Sequence, residues 1–540
     1  MSKKSGGRRP RKAGQRVGAE EVASLESLLG LDDFALLQLR DGLRALQSQS
    51  ESDEDDPLAL FDEFLRRLAT FSDVKAIGDD EFFEIVVMTL TQLVIEESGG
   101  DPRAREIRAA IYAQLEEAIN DGELDPVALV LVAKVLSDSG WSVPDELKGR
   151  LVEALDAGES AELGGADLAS ALMDIAQAAD GDAFAAYDAL NSVLAAFPSE
   201  AAARMVATLG EAPASLLLHA VAGFAMHRDA RIAGAAIQEL KRAATAGPVE
   251  SLLVERLVRM RPWLPSERQT ALDETIRALR PHAMAPVEAE RPQPAKAFVL
   301  ACDGSGAGGT LASLKASDGW RFVAAMTKPE GVDEVLSMDR LRKAQVDATL
   351  RGMHENVLAA QTDSAGIARY LQLALGENLA AGAPPPFKLI AFAENLGLGP
   401  IAPRVLSAAD LIAELLVDLP DAEKDVAAVA RAHAASIGGA IQNPWFEAGE
   451  PVERLFRPLR SAKARVKAML SDYLPERRTF WTRALALTAF ALREDTKTFG
   501  KLGVQLALVG REVASGAPLD SIPLMREIAE SSVRAYQNNR

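Results

Sequence analysis

From about Ala19 onward, apolar side chains recur at three- and four-residue spacing, the period of a helix with one buried stripe. Val22, Leu25, Leu28 and Leu29 make one such stripe, and Phe61, Phe64, Leu65 and Leu68 make another beyond the acidic stretch 51–56. Asp125 followed by Pro126 predicts a helix start, because the carboxylate caps free amides and proline at the first helical position gives up no hydrogen bond. The helix it starts, 127–137, is apolar nearly all round and is expected to be internal. Between Pro144 and Pro281 the punctuation becomes regular. Breakers at Pro144, Gly164 with Gly165, Gly181, Pro198, Pro213, Asp229, Pro248 and Pro265 bound segments of roughly 15 to 20 residues, each with helical spacing.

Two such helices make a unit near the ~40-residue period of HEAT-like repeats. In that architectural sense alone the stretch resembles HEAT-like α-helical-repeat proteins, since no residue signature recurs between units. The resemblance implies an α-solenoid-like array whose concave face receives partners. An irregular helical domain is the alternative. The segment 282–296, with Pro286, Pro292 and Pro294, reads as an extended connector that divides the chain.

After that segment comes a β signal. Ala297 to Ala301 leads into Cys302-Asp303-Gly304-Ser305-Gly306-Ala307-Gly308-Gly309, then a short run from Thr310, the turn Ser317-Asp318-Gly319 and a strand over 320–326. The expected fold is therefore mostly α, in five parts. These are a disordered basic tail (1–18), a solenoid-like helical region (19–281), the proline linker (282–296), a small antiparallel hairpin or meander (297–332) and a C-terminal helical domain (333–540). In the last part Trp481 opens an apolar, largely buried helix. Met525, Ile528, Ala529, Ser532 and Tyr536 form the inward stripe of a final helix that starts near Ser521 and Pro523.

The glycine run is where chemistry would sit. Gly304, Gly306 and Gly309 fit the G-x-G-x-x-G spacing that brings backbone amides to a pyrophosphate, and Glu330 stands about twenty residues on. The run from Thr310 to the Asp318-Gly319 turn is too short for the crossover helix a dinucleotide fold requires. Strand, Asp-Gly-Ser-Gly, strand, Asp-Gly turn, strand is similar to the first phosphate loop of the sugar-kinase, actin and heat-shock ATPase superfamily. Over these thirty-odd residues the resemblance implies that Asp303, Gly304, Ser305, Gly306 and Thr310 hold metal-bound phosphate. The family's second phosphate loop and its adenosine loop have no evident counterpart after Val332. The competing reading is a plain hairpin whose glycines supply tight turns.

Other catalytic patterns fail on spacing. None of the five histidines, His219, His227, His282, His354 and His433, stands in a metal motif. No Walker A sequence and no G-x-S-x-G elbow is present. The one cysteine, Cys302, excludes a disulfide framework and reads more readily as a small buried residue than as a nucleophile. No cofactor or metal is expected.

Charge adds two features to a chain of 540 residues with net charge −19 and 48% hydrophobic content. Residues 1–16 hold seven basic side chains and no acid, so the rest of the chain carries −26. Such a tail is expected to be disordered and free to touch a polyanion, while the acidic body opposes broad contact with nucleic acid. The window 453–483 reverses the sign to +6. Its Arg454, Arg457, Arg460, Lys463, Lys467, Arg477 and Arg478 form a candidate anion-binding patch, or else a solvated face. Phe456, Tyr473, Phe480 and Trp481 fall at helical spacing and are expected in the core. The longest uncharged apolar stretch is too short to span a bilayer, and 1–14 lacks a secretory core, so a cytoplasmic protein is expected. The function expected first is that of a non-enzymatic scaffold or adaptor that binds proteins through helical surfaces. Polyanion binding comes second and phosphate chemistry at 303–310 third.

Overall fold

The computed structural model describes residues 56–68, 81–98, 101–122, 124–160, 172–173, 175–176, 179, 181–195, 197–211, 215–285, 291–419 and 445–538. The basic tail, the stripe from Val22 to Leu29, the acidic stretch up to Asp55, the Gly164-Gly165 break, Pro213 and Pro286 lie outside the described residues. The chain forms two compact units, Met1–Met205 and Val206–Arg540.

The first unit contains α1 (Pro57–Leu68), α2 (Glu81–Ser98), α3 (Pro102–Asn120), α4 (Pro126–Asp138), α5 (Asp145–Ser160) and α6 (Ala183–Leu194). The predicted α1 stripe is buried in full at Phe61, Phe64, Leu65 and Leu68. Asp125 caps α4 by accepting from the Ala128 amide at 2.8 Å, with Pro126 at the first helical position as expected. Because α4 is apolar nearly all round, apart from the Lys134–Asp138 pair near its end, it lies largely inside, with Val130, Val132, Ala133 and Leu136 wholly buried. Trp141 closes this unit's core by donating from Nε1 to the Leu90 carbonyl at 2.9 Å.

Helix α7 covers Ser199–Glu211, and the second unit begins at Val206. There α8 (Ser215–Phe224), α9 (Ala230–Ala246), α10 (Ser251–Met260) and α11 (Ser266–Leu279) pack on one another. Asp229 caps α9 through the Arg231 amide at 2.7 Å.

A five-stranded sheet follows, from β1 (Gln293–Leu300), β2 (Gly308–Ala316), β3 (Gly319–Lys328), β4 (Gly331–Leu341) and β5 (Ala359–Thr362), with α12 (Lys343–Asn356) between the last two strands. The order is β4-β3-β2-β1-β5 and all neighbours are antiparallel. The β element thus exceeds the 297–332 expected from the sequence. The reason is local: β4 is an edge strand whose Asp333-Glu334 pair breaks the apolar alternation, and β5 has four residues, too few to register a period of two. Strand β1 begins inside the expected linker. Pro294 is accommodated because β5 pairs with β1 only from Ala297, leaving the earlier residues with one neighbour.

The two faces of the sheet differ in residue size. Phe298, Leu300, Leu311 and Phe322 face Val346 and Leu350 of α12. On the other face Val299, Ala301 and Ala360 meet Tyr370 and Leu373 of α13 (Ser364–Ala381). These small residues let α13 approach closely. The Asn378 side chain accepts from the Val332 amide at 2.8 Å and donates to the Val332 carbonyl at 3.1 Å, pairing with β4 as a strand would.

The remaining helices are α14 (Lys388–Asn395), α15 (Ala408–Leu415), α16 (Glu450–Phe456), α17 (Ala462–Ala468), α18 (Arg478–Arg493), α19 (Thr496–Ala514) and α20 (Pro523–Asn538). The expected core residues Trp481, Phe456, Met525, Ile528 and Ala529 are buried together, with Tyr473, Phe480 and Tyr536 half-buried against them.

The segment 282–296, expected to divide the chain, lies inside the second compact unit, Val206–Arg540. Helices α10 and α11 belong with the sheet, because Arg256 forks onto Glu394 of α14 at 2.9 and 3.0 Å and Trp263 Nε1 donates to the Ile401 carbonyl at 2.9 Å. Proline content marks irregular backbone at that segment and says nothing about contacts made around it. Among the described residues no helix is long and apolar enough to cross a membrane.

Candidate functional site

The loop joining β1 to β2 closes on its own carboxylate. Asp303 Oδ1 accepts from the Ser305 amide at 2.8 Å, the Ser305 hydroxyl at 2.7 Å and the Ala307 amide at 2.9 Å. The Asp303 amide in turn donates to the Ala307 carbonyl at 2.7 Å. A phosphate loop must offer such amides outward; here two of them point at Asp303. Gly306 has φ +83°, a left-handed conformation open to glycine, and a Cβ there would lie 3.1 Å from the Phe480 ring. Gly304 packs on the Trp445-Phe446 backbone, where a Cβ would lie 3.2 Å from the Phe446 nitrogen.

Thr310 is parted from the loop. It sits within β2 between Val299 and Ala325, fully buried, and its hydroxyl has no hydrogen-bond partner among the described residues. Gly309 also lies in β2, so no helix begins at the glycines to receive a pyrophosphate. The stretch on which the phosphate-loop resemblance was expected forms the β1–β3 hairpins, after which come the edge strand β4 and β5, the one later strand among the described residues.

Beneath the loop lies a polar cluster that the sequence did not reveal. Tyr370 is buried and hydrogen-bonds Thr327 Oγ1 at 2.9 Å. Gly308 makes room for it, as a Cβ there would stand 2.8 Å from the Tyr370 hydroxyl and 3.5 Å from Cys302 Sγ. Burial, and then the charge of Asp303, push the Cys302 thiol up to about 12. That opposes formation of a thiolate nucleophile. Burial also raises the Tyr370 phenol and lowers the Arg483 guanidinium, which is ion-paired with Glu377. Cys302, Tyr370 and Arg483 lie 68 and 113 residues apart, and no spacing pattern joins them. Among the described residues no group of three or more His, Cys, Asp or Glu could hold a metal ion.

The basic window separates into inward and outward parts. Arg477 donates from Nε to Glu447 Oε1 at 2.9 Å and lies 3.9 Å over the Phe480 ring. Glu447, 7% exposed, also accepts from Trp481 Nε1 at 2.9 Å and the Tyr473 hydroxyl at 3.3 Å. Arg478 donates to the carbonyl of Val513 in the last turn of α19 and to that of Ala517 beyond it, at 2.9 and 2.8 Å. Arg465 is buried and donates to the Leu459 carbonyl at 2.9 Å. Arg454 is exposed and pairs with Glu450 one turn away. Arg457, Arg460, Lys463 and Lys467 are exposed and take part in no ion pair among the described residues. The structure therefore brings Arg477 and Arg478 into internal bonding and leaves these four outward, beside the exposed Arg454–Glu450 pair.

The family model described as the Y4lR C-terminal helical domain matches residues 409–537, and the one described as the Y4lR second domain matches residues 198–282. The first match takes in α15 to α20 with the basic window, and the second takes in α7 to α11. Neither description is a HEAT repeat, so the likeness that holds is to helical domains in general. The sheet and its loop lie between the two matched stretches. No curated protein and no solved structure matches the chain.

Proposed function

We propose that the protein is a helical scaffold or adaptor that binds other proteins through its helix surfaces inside the cell. One observation carries this reading. The residues with chemical promise bond inward, Asp303 to its own loop, Arg477 to Glu447, Arg478 to the Val513 and Ala517 carbonyls and Arg483 to Glu377. What remains for function is the outside of the helices. In the finer form of the proposal, the helices from α7 to α11 stack as hairpins and present a concave face. The test is capture from nuclease-treated lysate with full-length protein, followed by cross-link mapping. A stoichiometric protein partner cross-linked to exposed helical residues is expected, and recovery of nucleic acid alone would overturn the proposal.

A second reading is favoured by the four outward cations. Arg457, Arg460, Lys463 and Lys467 offer an anion-binding surface to nucleic acid, assisted by the basic tail. With Phe456, Phe480 and Trp481 packed in the core, contact would be to phosphates and not by base stacking. The third reading, phosphate chemistry at Asp303, Gly304, Ser305, Gly306 and Thr310, requires the loop to exchange its internal hydrogen bonds for a ligand.

A further inference from the structure

His219 on α8 is 4% exposed, and both of its ring nitrogens are engaged. Nε2 lies 3.2 Å from Glu250 Oε2, and Nδ1 lies 3.2 Å from Arg256 Nη1. A guanidinium carries donors only, so Nδ1 must accept and the single ring proton sits on Nε2, donated to Glu250. The tautomer follows from the network around it. Arg256, itself 8% exposed, sends its Nε and Nη2 to the two carboxylate oxygens of Glu394 on α14. One neutral imidazole thus completes a chain from the N-terminus of α10 through α8 to α14. Along the same seam Arg259 Nε donates to the Leu398 carbonyl at 3.3 Å, and Trp263 bonds to Ile401.

We infer that His219 is a proton-sensitive latch: a second proton, on Nδ1, would set an N–H against the Arg256 guanidinium and loosen α14 and the segment through Ile401 from helices α8 to α11. The charged groups acting on the ring are Glu250 and Arg256 from α10 and its cap, and Glu394 from α14. The buried residues of α9, which also packs on α8, are apolar. Ser215 holds the other oxygen of Glu250. His227, beyond the end of α8, is a separate site whose Nδ1 accepts from the Asp229 amide at 3.0 Å.

Burial, and then Arg256, hold His219 below the ordinary histidine range, against the opposing pull of Glu250 and Glu394. The opened state therefore takes up the proton more readily than the closed one. The latch is fully closed above about pH 6.5 and weakens as pH falls, by at most about tenfold in its equilibrium for each pH unit.

The test is hydrogen exchange on the full-length protein, corrected for intrinsic rates, at about pH 7.5 and about pH 5.5, on either side of an ordinary histidine. Wild type should lose up to about tenfold in protection across 388–401 at the lower pH. His219→Gln, which keeps a neutral acceptor and donor, should lose little, and His227→Gln should respond as wild type. Equal protection of wild type at both pH values overturns the inference. So does a His219→Gln response equal to wild type, or loss of the response in His227→Gln. Should His219→Gln fail to fold, histidine-labelled NMR of wild type decides. A neutral His219 ring protonated on Nε2 near neutral pH, charging as protection is lost, supports the latch, and a ring already charged there contradicts it.

Discussion

The loop at Asp303 and the segment 457–467 both attract attention as places for phosphate, one by its glycines and one by its charge. The structure treats them in opposite ways. The loop turns its amides onto Asp303 and rests on Phe480 and the Trp445-Phe446 backbone. The segment leaves Arg457, Arg460, Lys463 and Lys467 in solvent without ion pairs among the described residues. A motif records which groups are available, but hydrogen bonding decides whether they are free. Only groups that are not already satisfied can bind a ligand without first giving something up.

The contrast can be broken from its internal side first. Glu447→Ala removes the acceptor shared by Arg477, Trp481 and Tyr473, leaving the indole N–H buried without a partner. A destabilisation of about 2–4 kcal/mol is expected, read as a lower urea midpoint at unchanged slope. Asp303→Ala strips three hydrogen bonds from a loop whose Asp303 and Ser305 are exposed, and should cost about 1–2 kcal/mol by the same measurement. On the outward side, changing Arg457, Arg460, Lys463 and Lys467 together to Glu should move stability little, within about 0.5 kcal/mol for each site. If the segment binds nucleic acid, the same variant should flatten the salt dependence of duplex binding by roughly one unit of slope for each phosphate it no longer neutralises.

Much of the helical framework was legible because its signals are local. The stripe from Phe61 to Leu68, the Asp125-Pro126 start and the buried helix at Trp481 each follow from spacing within a few turns. The hairpin of β1, β2 and β3 was legible through its glycine and Asp-Gly turns. Strands β4 and β5 were not, since an edge position and a four-residue length both erase alternation.

The candidate sites were less legible because their outcome depends on distant partners. Arg477 and Arg483 read as members of one basic run, yet their acids are Glu447 and Glu377, placed by folding. Nor does any local pattern tell that Glu394 meets Arg256 across 138 residues, or that Tyr370 sits under Gly308. The charge of a sequence window cannot distinguish an arginine that caps a helix from one that faces water.

If the Asp303 loop is a structural turn, its donors are already used and nucleotide has nothing to bind there. Thermal unfolding of the full-length protein, with and without magnesium and nucleotide, tests this beside Asp303→Ala. The expected result is a lower midpoint for Asp303→Ala under both conditions, with no shift on adding nucleotide to either protein. A nucleotide-induced rise in the wild-type midpoint that Asp303→Ala abolishes would contradict it and return the chemistry to the loop.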